Sequence, residues 1–200
     1  ELADAMGCRD EVSRITERAM RGKIDFEEAL RARAAMLAGL DASAMETVYL
    51  ERITLTPGAK TLVATMRANG AMTALVSGGF TFFTQRIRER AGFDIDQANE
   101  LLIDDSGQLT GQVASPILGK AAKLQALNDL SAEKGLDLTE TMAVGDGAND
   151  LAMIEAAGLG VAFHAKPAVA AKADVQVIHN DLTALLFFQG YRRDEFITPD

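Results

Sequence analysis

The sequence predicts an α/β protein, with a parallel β-sheet packed between helices and preceded by a small helical bundle. Three observations carry this. Residues 1–52 are spaced for amphipathic helices throughout, with short turns at Gly7, Gly22 and Gly39. Beyond Thr56-Pro57-Gly58 the pattern changes, and short apolar runs alternate with helical stretches. Two of those runs end in Gly-rich polar segments, Ser77-Gly78-Gly79 and Gly145–Asp150. Ligands bind at such strand ends in open parallel sheets. The expected division is a helical domain at 1–52 and an α/β domain at 53–200.

In the first domain, helices are expected over Leu2–Met6, Glu11–Met20, Phe26–Leu37 and Ala42–Tyr49. Asp25 suits the N-cap of the third, and Glu27 and Glu28 favour its first turn. In the second, a helix at Ala59–Ala68 stops at Asn69-Gly70 and a strand follows at Met72–Val76. Ser77-Gly78-Gly79 then turns into a helix from about Phe80 to Ala91. Leu101–Asp104 and Leu109–Val113 read as a β-hairpin. Leu118–Lys134 reads as helix, Thr141–Val144 as strand and Asp150–Ala157 as helix. Short strands follow at Gly160–Phe163 and Val175–Ile178. The polar Tyr191–Asp200 stretch is expected to be a mobile tail.

Hydrophobic content of 48% suffices for a packed core, and four prolines with no long polar tract argue against disorder. A net charge of −9 argues against a nucleic-acid surface, although a local pocket can still be positive. The single Cys8 excludes an internal disulfide and fits a reducing, cytoplasmic compartment. No run reaches membrane-spanning length, and the start carries no signal-peptide pattern. The sequence leaves open whether the chain forms a homo-oligomer.

Gly145–Asp150, GDGAND, is the most informative segment. It places two carboxylates and an amide on a tight loop at a strand end. Such oxygen donors suit a hard cation such as Mg²⁺. Asp146 is the candidate direct ligand. Asp150 lies one turn on, placed to support a metal-bound water or an adjacent lysine. Turn formation and helix capping would explain these residues singly, but not their convergence.

Ser77-Gly78-Gly79 is a candidate anion cradle, with backbone N–H groups at a helix start and the Ser77 hydroxyl beside them. With both strand ends expected in one small sheet, the two segments form one constellation. Lys123, on the helix before GDGAND, could neutralise a phosphate, and Lys120 competes for that role. Arg33 falls on one helical stripe with Phe26, Ala29, Leu30 and Leu37, inside an apolar face. A guanidinium there needs an anionic partner or a route to water. Met20 and Phe26 suit either the core or the apolar wall of a small-substrate pocket. His164 and His179 lack metal-ligand spacing and read as structural.

These segments, from ITERAMRGKIDFEEALRAR through LTPGA, ALVSGGF, DDSGQLTGQV and AVGDGANDLAMIEAAGLGVAFHAKP to DLTALL, span nearly the whole chain. In this order they resemble the phosphoserine phosphatases of the haloacid dehalogenase superfamily. The resemblance implies a Rossmann-like α/β core with a small helical cap. It also implies Mg²⁺-dependent hydrolysis of phosphoserine to serine and phosphate, the last step of serine biosynthesis. By position, Ser77 and Gly78 would hold the phosphoryl group and Lys123 would neutralise it. Asn149 would contact it, Asp146 would bind Mg²⁺, and Asp150 would support the metal shell or the lysine. Arg33 would pair with the substrate carboxylate, with Met20 and Phe26 beside it.

One feature departs from the family. Its nucleophile is the first Asp of a DxDxT motif, and no such motif occurs in these 200 residues. By the family layout it should end shortly before Glu1, so the sequence is expected to lack an upstream segment and to be inactive alone. Two rival readings are a phosphotransferase passing the phosphoryl group to homoserine, and a non-catalytic phosphate-binding regulatory protein.

Overall fold

The computed structural model describes residues 2–5, 7–20 and 23–199, with the side chains of Ala5, Met20 and Lys120 excepted. Met6, the Gly22 turn and the Met20 and Lys120 side chains therefore lie outside the described residues. The helical region forms α1 (Leu2–Ala5), α2 (Arg9–Met20), α3 (Phe26–Ala35) and α4 (Ser43–Arg52). Then come α5 (Ala59–Ala68), β1 (Ala74–Phe80), α6 (Thr81–Ala91), β2 (Ile95–Asn99), β3 (Leu101–Ile103) and β4 (Leu109–Val113). The remainder is α7 (Lys120–Lys134), β5 (Met142–Gly145), α8 (Leu151–Ala156), β6 (Leu159–Phe163), α9 (Pro167–Ala170), β7 (Val175–Val177) and α10 (Ala184–Phe188). Among the described residues, no helix is long and apolar enough to cross a membrane.

The chain forms two compact units. The first comprises Glu1–Thr54, Ser77–Arg86 and Gln97–Gly119. Helix α3 starts where Asp25 accepts a hydrogen bond from the Glu28 N–H at 2.7 Å, the N-cap its sequence suggests. Its buried Leu30, with Leu37 beyond its end, meets Met45 and Val48 of α4 and Leu101, Leu109 and Val113 of the hairpin. Each such side chain contributes about 1.5–3 kcal/mol by leaving water. Strands β3 and β4 pair antiparallel, with a register shift between the Leu101–Val113 and Ile103–Leu109 pairs. Gly111, at φ +76°, lies within that irregular stretch. A Cβ there would lie 2.9 Å from the Ala38 Cβ and 3.2 Å from the Ala35 backbone. The hairpin therefore approaches α3 at a distance that only glycine permits.

The second unit comprises Leu55–Val76, Ile87–Asp96 and Lys120–Asp200. Strands β5, β6 and β7 form a parallel sheet, pairing Met142 with Leu159, Val144 with Val161, and Val161 with Val175. Val161, Val177 and Leu185 form one buried cluster, and Ile154, Ala162 and Val169 another. At the start of α5, Gly58 is left-handed, and its backbone neighbour Pro57 accepts a bond from the Leu182 N–H at 3.0 Å. Asp94 ties the loop before β1 in place: it accepts from the Thr73 N–H and hydroxyl, each at 2.9 Å, and pairs with Arg67 at 2.7 Å.

The α/β class and most elements follow the sequence pattern, with four corrections. Strand β1 runs through Ser77-Gly78-Gly79 to Phe80, because its extended backbone continues beside β2 and the helix waits until Thr81. Strand β2 was not expected, because Ile95-Asp96-Gln97-Ala98-Asn99 is too polar to read as a strand. Strands β1 and β5 were expected in one sheet. Each instead pairs with its chain successor, β1 with β2 and β5 with β6, so they lie in separate sheets among the described residues. The C-terminal stretch is anchored: Phe196 packs on Phe187 at 5.0 Å and the Ile197 N–H donates to the Thr65 hydroxyl at 2.9 Å.

Two outcomes are expected. Gly111→Ala should lower the unfolding free energy by about 1–3 kcal/mol, the range for forcing atoms into packed space, as read from the urea midpoint. Burial raises the Asp94 carboxyl, but the Thr73 donors and Arg67 outweigh it, leaving it below the usual carboxylate range. A depressed acid stabilises the fold above its unfolded value of about 3.9 and loses that contribution as pH falls through the folded value. The stability gap between the parent and Asp94→Asn should thus be wider at pH 7 than at pH 3.

Candidate active site

The GDGAND loop is organised around Asp150, at the start of α8. Its side chain is 3% exposed. It makes no cap bond to its own helix and turns back to the loop. One oxygen accepts the Asp146 and Gly147 N–H groups at 3.1 and 3.0 Å. The other accepts from the Lys123 Nζ at 2.5 Å and, more weakly, from the Asn149 amide at 3.4 Å. A buried carboxylate is costly unless every lone pair is used and a cation lies close, and here both conditions hold. Lys123 is itself mostly buried, on the first turn of α7.

Glycine makes this loop possible. A Cβ on Gly145 would strike the Asp150 side chain, and one on Gly147 would come within 2.5 Å of the Asn149 Oδ1. Gly160, in the neighbouring strand β6, likewise packs against the Ile154 backbone of α8. The Asp146 carbonyl accepts the Lys166 N–H at 3.2 Å from the segment after β6. His164 in that segment has φ 46°, stacks on Phe163 and places its Nε2 2.9 Å from the Asn180 carbonyl.

The exposed Asp146 side chain has no hydrogen bond or ion pair among the described residues. It is the uncommitted carboxylate of the loop. No group of three or more His, Cys, Asp or Glu side chains is placed to share an ion among the described residues. A single free carboxylate still fits Mg²⁺, which keeps several waters and binds through one or two carboxylates plus substrate phosphate.

In the first unit, Arg33 and Gly78 line one cavity, and the Phe26 ring packs on Gly78. Arg33, Leu30, Gly78, Gly79, Phe80 and Phe83 line part of a cavity of about 280 Å³. The Arg33 Nε donates to the Ala29 carbonyl at 3.2 Å, and no carboxylate pairs with Arg33 among the described residues. Burial pushes its guanidinium below the usual value. A desolvated cation in an apolar cavity suits an anionic ligand with a planar, two-oxygen head. Phe26 stands over Gly78, where a Cβ would lie 3.0 Å from its ring.

Ser77 and Gly78 do not sit at a helix start as the sequence suggested, because α6 begins at Thr81. The Ser77 hydroxyl instead accepts the Gly79 N–H at 3.0 Å. Sequence reasoning missed Leu30, Phe80 and Phe83 as cavity walls, although Leu30 shares the Arg33 stripe. It also missed Asn99, which is 2% exposed and bonded to the Gly78 and Leu118 backbone. An asparagine after a polar run reads as a turn.

Comparison with known proteins follows the same lines. A family model for haloacid dehalogenase-like hydrolases matches residues 1–155. The chain is 48% identical to phosphoserine phosphatase of Streptomyces coelicolor, over 97% of this chain and 47% of that protein. It is 48% identical to phosphoserine phosphatase of Streptococcus thermophilus, over 90% of this chain and 83% of that protein. A solved phospho-aspartyl intermediate analogue of a phosphoserine phosphatase superposes with a TM-score of 0.84 at 40% identity, covering 94% of this chain and 88% of that one. The chain spans about half the length of the first curated relatives it matches.

Asp150→Ala should cost about 3–5 kcal/mol, the range for stripping the counter-ion from a buried pair, and more than Lys123→Met, which leaves three N–H donors on the carboxylate. Urea titration of both variants measures this. The reverse order would show that the loop bonds contribute little.

Proposed function

The chain belongs to the haloacid dehalogenase-like hydrolases and, within them, to the phosphoserine phosphatases, and on that premise we propose that the whole protein is a Mg²⁺-dependent phosphatase hydrolysing O-phospho-L-serine to L-serine and phosphate. The observation that carries the proposal is the Lys123–Asp150 pair locked to the GDGAND loop, while the Asp146 carboxylate has no partner among the described residues. Asp146 would hold Mg²⁺, and the bound ion would neutralise charge on the transferring phosphoryl group. Asp150 keeps the Lys123 ammonium aimed and spares it from choosing a partner at the moment of reaction. Fixed charges of this kind cost no reorganisation. Ser77, Gly78 and Asn149 would donate to the phosphoryl oxygens.

Arg33 supports the substrate class. Its desolvated guanidinium, with no carboxylate partner among the described residues, would receive the serine carboxylate in a two-pronged pair. Phe26 and Met20 would form an apolar wall beside it, as the resemblance implies. The oxygen–phosphorus bond of the substrate would break as a carboxylate oxygen attacks phosphorus, and serine leaves as the alcohol after gaining a proton. Water would then attack the aspartyl-phosphate, releasing phosphate and regenerating the carboxylate. These 200 residues carry no DxDxT motif, so the residues assigned here bind and neutralise rather than attack. The lone Cys8 fits a reducing, cytoplasmic setting.

The test is Mg²⁺-dependent phosphate release from L-phosphoserine by the natural-length protein. Asp146→Asn, or removal of divalent ions by a chelator, should lower the rate about a hundredfold or more, since several kcal/mol of charge stabilisation go with the ion. Undiminished release by Asp146→Asn would overturn the metal assignment. A sample with the mass of these 200 residues alone should release no phosphate.

A further inference from the structure

We infer that Asn99 is a positioning residue that sets the Ser77 hydroxyl for its ligand, acting through the Gly78–Gly79 peptide. This rests on the phosphoryl-holding role proposed above for Ser77. Asn99 closes β2 next to β1, and the residue is 2% exposed. Its Oδ1 accepts the Leu118 N–H at 2.8 Å, and its Nδ2 donates to the Gly78 carbonyl at 3.2 Å and the Leu118 carbonyl at 3.4 Å. The orientation of the amide is forced, because the Leu118 N–H can only donate and the Gly78 oxygen can only accept.

The Gly78 carbonyl and the Gly79 N–H belong to one planar peptide. Anchoring the carbonyl on Asn99 therefore aims the N–H, which donates to the Ser77 Oγ at 3.0 Å. With that N–H received on a lone pair, the Ser77 proton stays free to be donated to an anionic oxygen. Two successive glycines are the most mobile backbone a chain can offer. Without an external anchor this peptide could flip, and the hydroxyl would lose the bond that orients it. Asn99 supplies the anchor from one side, and the Phe26 ring restricts Gly78 from another. The same amide ties the strand to Leu118, so a buried side chain bonded at three points holds the segment.

A double-mutant cycle in the natural-length protein tests this, with L-phosphoserine as substrate and each melting temperature measured so that only folded protein is assayed. Asn99→Ala should lower kcat/KM about 10–100-fold, as small misplacements of a binding group do. In a Ser77→Ala background the same change should cost less than about threefold, because the group it positions is already gone. Asn99→Asp is the second variant. It still accepts from Leu118 but has no proton for the Gly78 carbonyl when ionised, and it should show the same non-additivity. Equal losses in both backgrounds would overturn the inference, as would a lowered melting temperature with kcat/KM unchanged. If the parent protein itself neither binds nor hydrolyses phosphoserine, the proposed function fails and this inference fails with it.

Discussion

The buried carboxylate of Asp150 is the constraint around which the second unit is arranged. It is held by two loop N–H groups and the Lys123 ammonium. Each bond serves the others: the N–H groups bend the loop back on α8, and the bend brings the carboxylate to the lysine. A cation and an anion are thereby taken out of water together, which is tolerable only when the geometry is complete. The consequence for chemistry is a division of labour between two aspartates four residues apart. Asp150 is spent on structure and charge placement, and the Asp146 carboxylate has no partner among the described residues.

Close backbone approach is the second constraint, and glycine meets it in both units. Gly145 and Gly160 let the β5 loop and β6 sit against α8. Gly111 lets the hairpin sit against α3. Gly78 accommodates the Phe26 ring. In each place a methyl group would meet backbone or a fixed side chain, so the packing is decided by the absence of a side chain. The first unit then uses its aromatic and aliphatic side chains to line a cavity together with the partly buried Arg33 guanidinium.

Much of this was readable in the residues. Asp25 announced the start of α3, the stripe through Phe26, Leu30 and Arg33 placed a cation on a buried face, and GDGAND announced a polar loop at a strand end. Strand β2 was not readable, because a run such as IDQAN has neither alternation nor bulk, and its strand character comes from the neighbour it pairs with. The SGG segment read as a turn because glycine permits turns. It is extended because β1 continues beside β2. The C-terminal stretch read as a loose tail because its polarity hides Phe196 and Ile197, which reach back to Phe187 and Thr65.

Local pattern alone determined the α/β class, the helices and the residue types that could serve a phosphate and a cation, since periodicity, capping and turn chemistry act over a few neighbours in the chain. Tertiary structure alone decided which of those groups are already spent. Lys123 meets Asp150 across 27 residues and Asn99 meets Gly78 across 21. Whether a carboxylate is free to bind an ion, or a hydroxyl free to donate, depends on such distant partners and on the water that burial removes, and neither is written in local spacing.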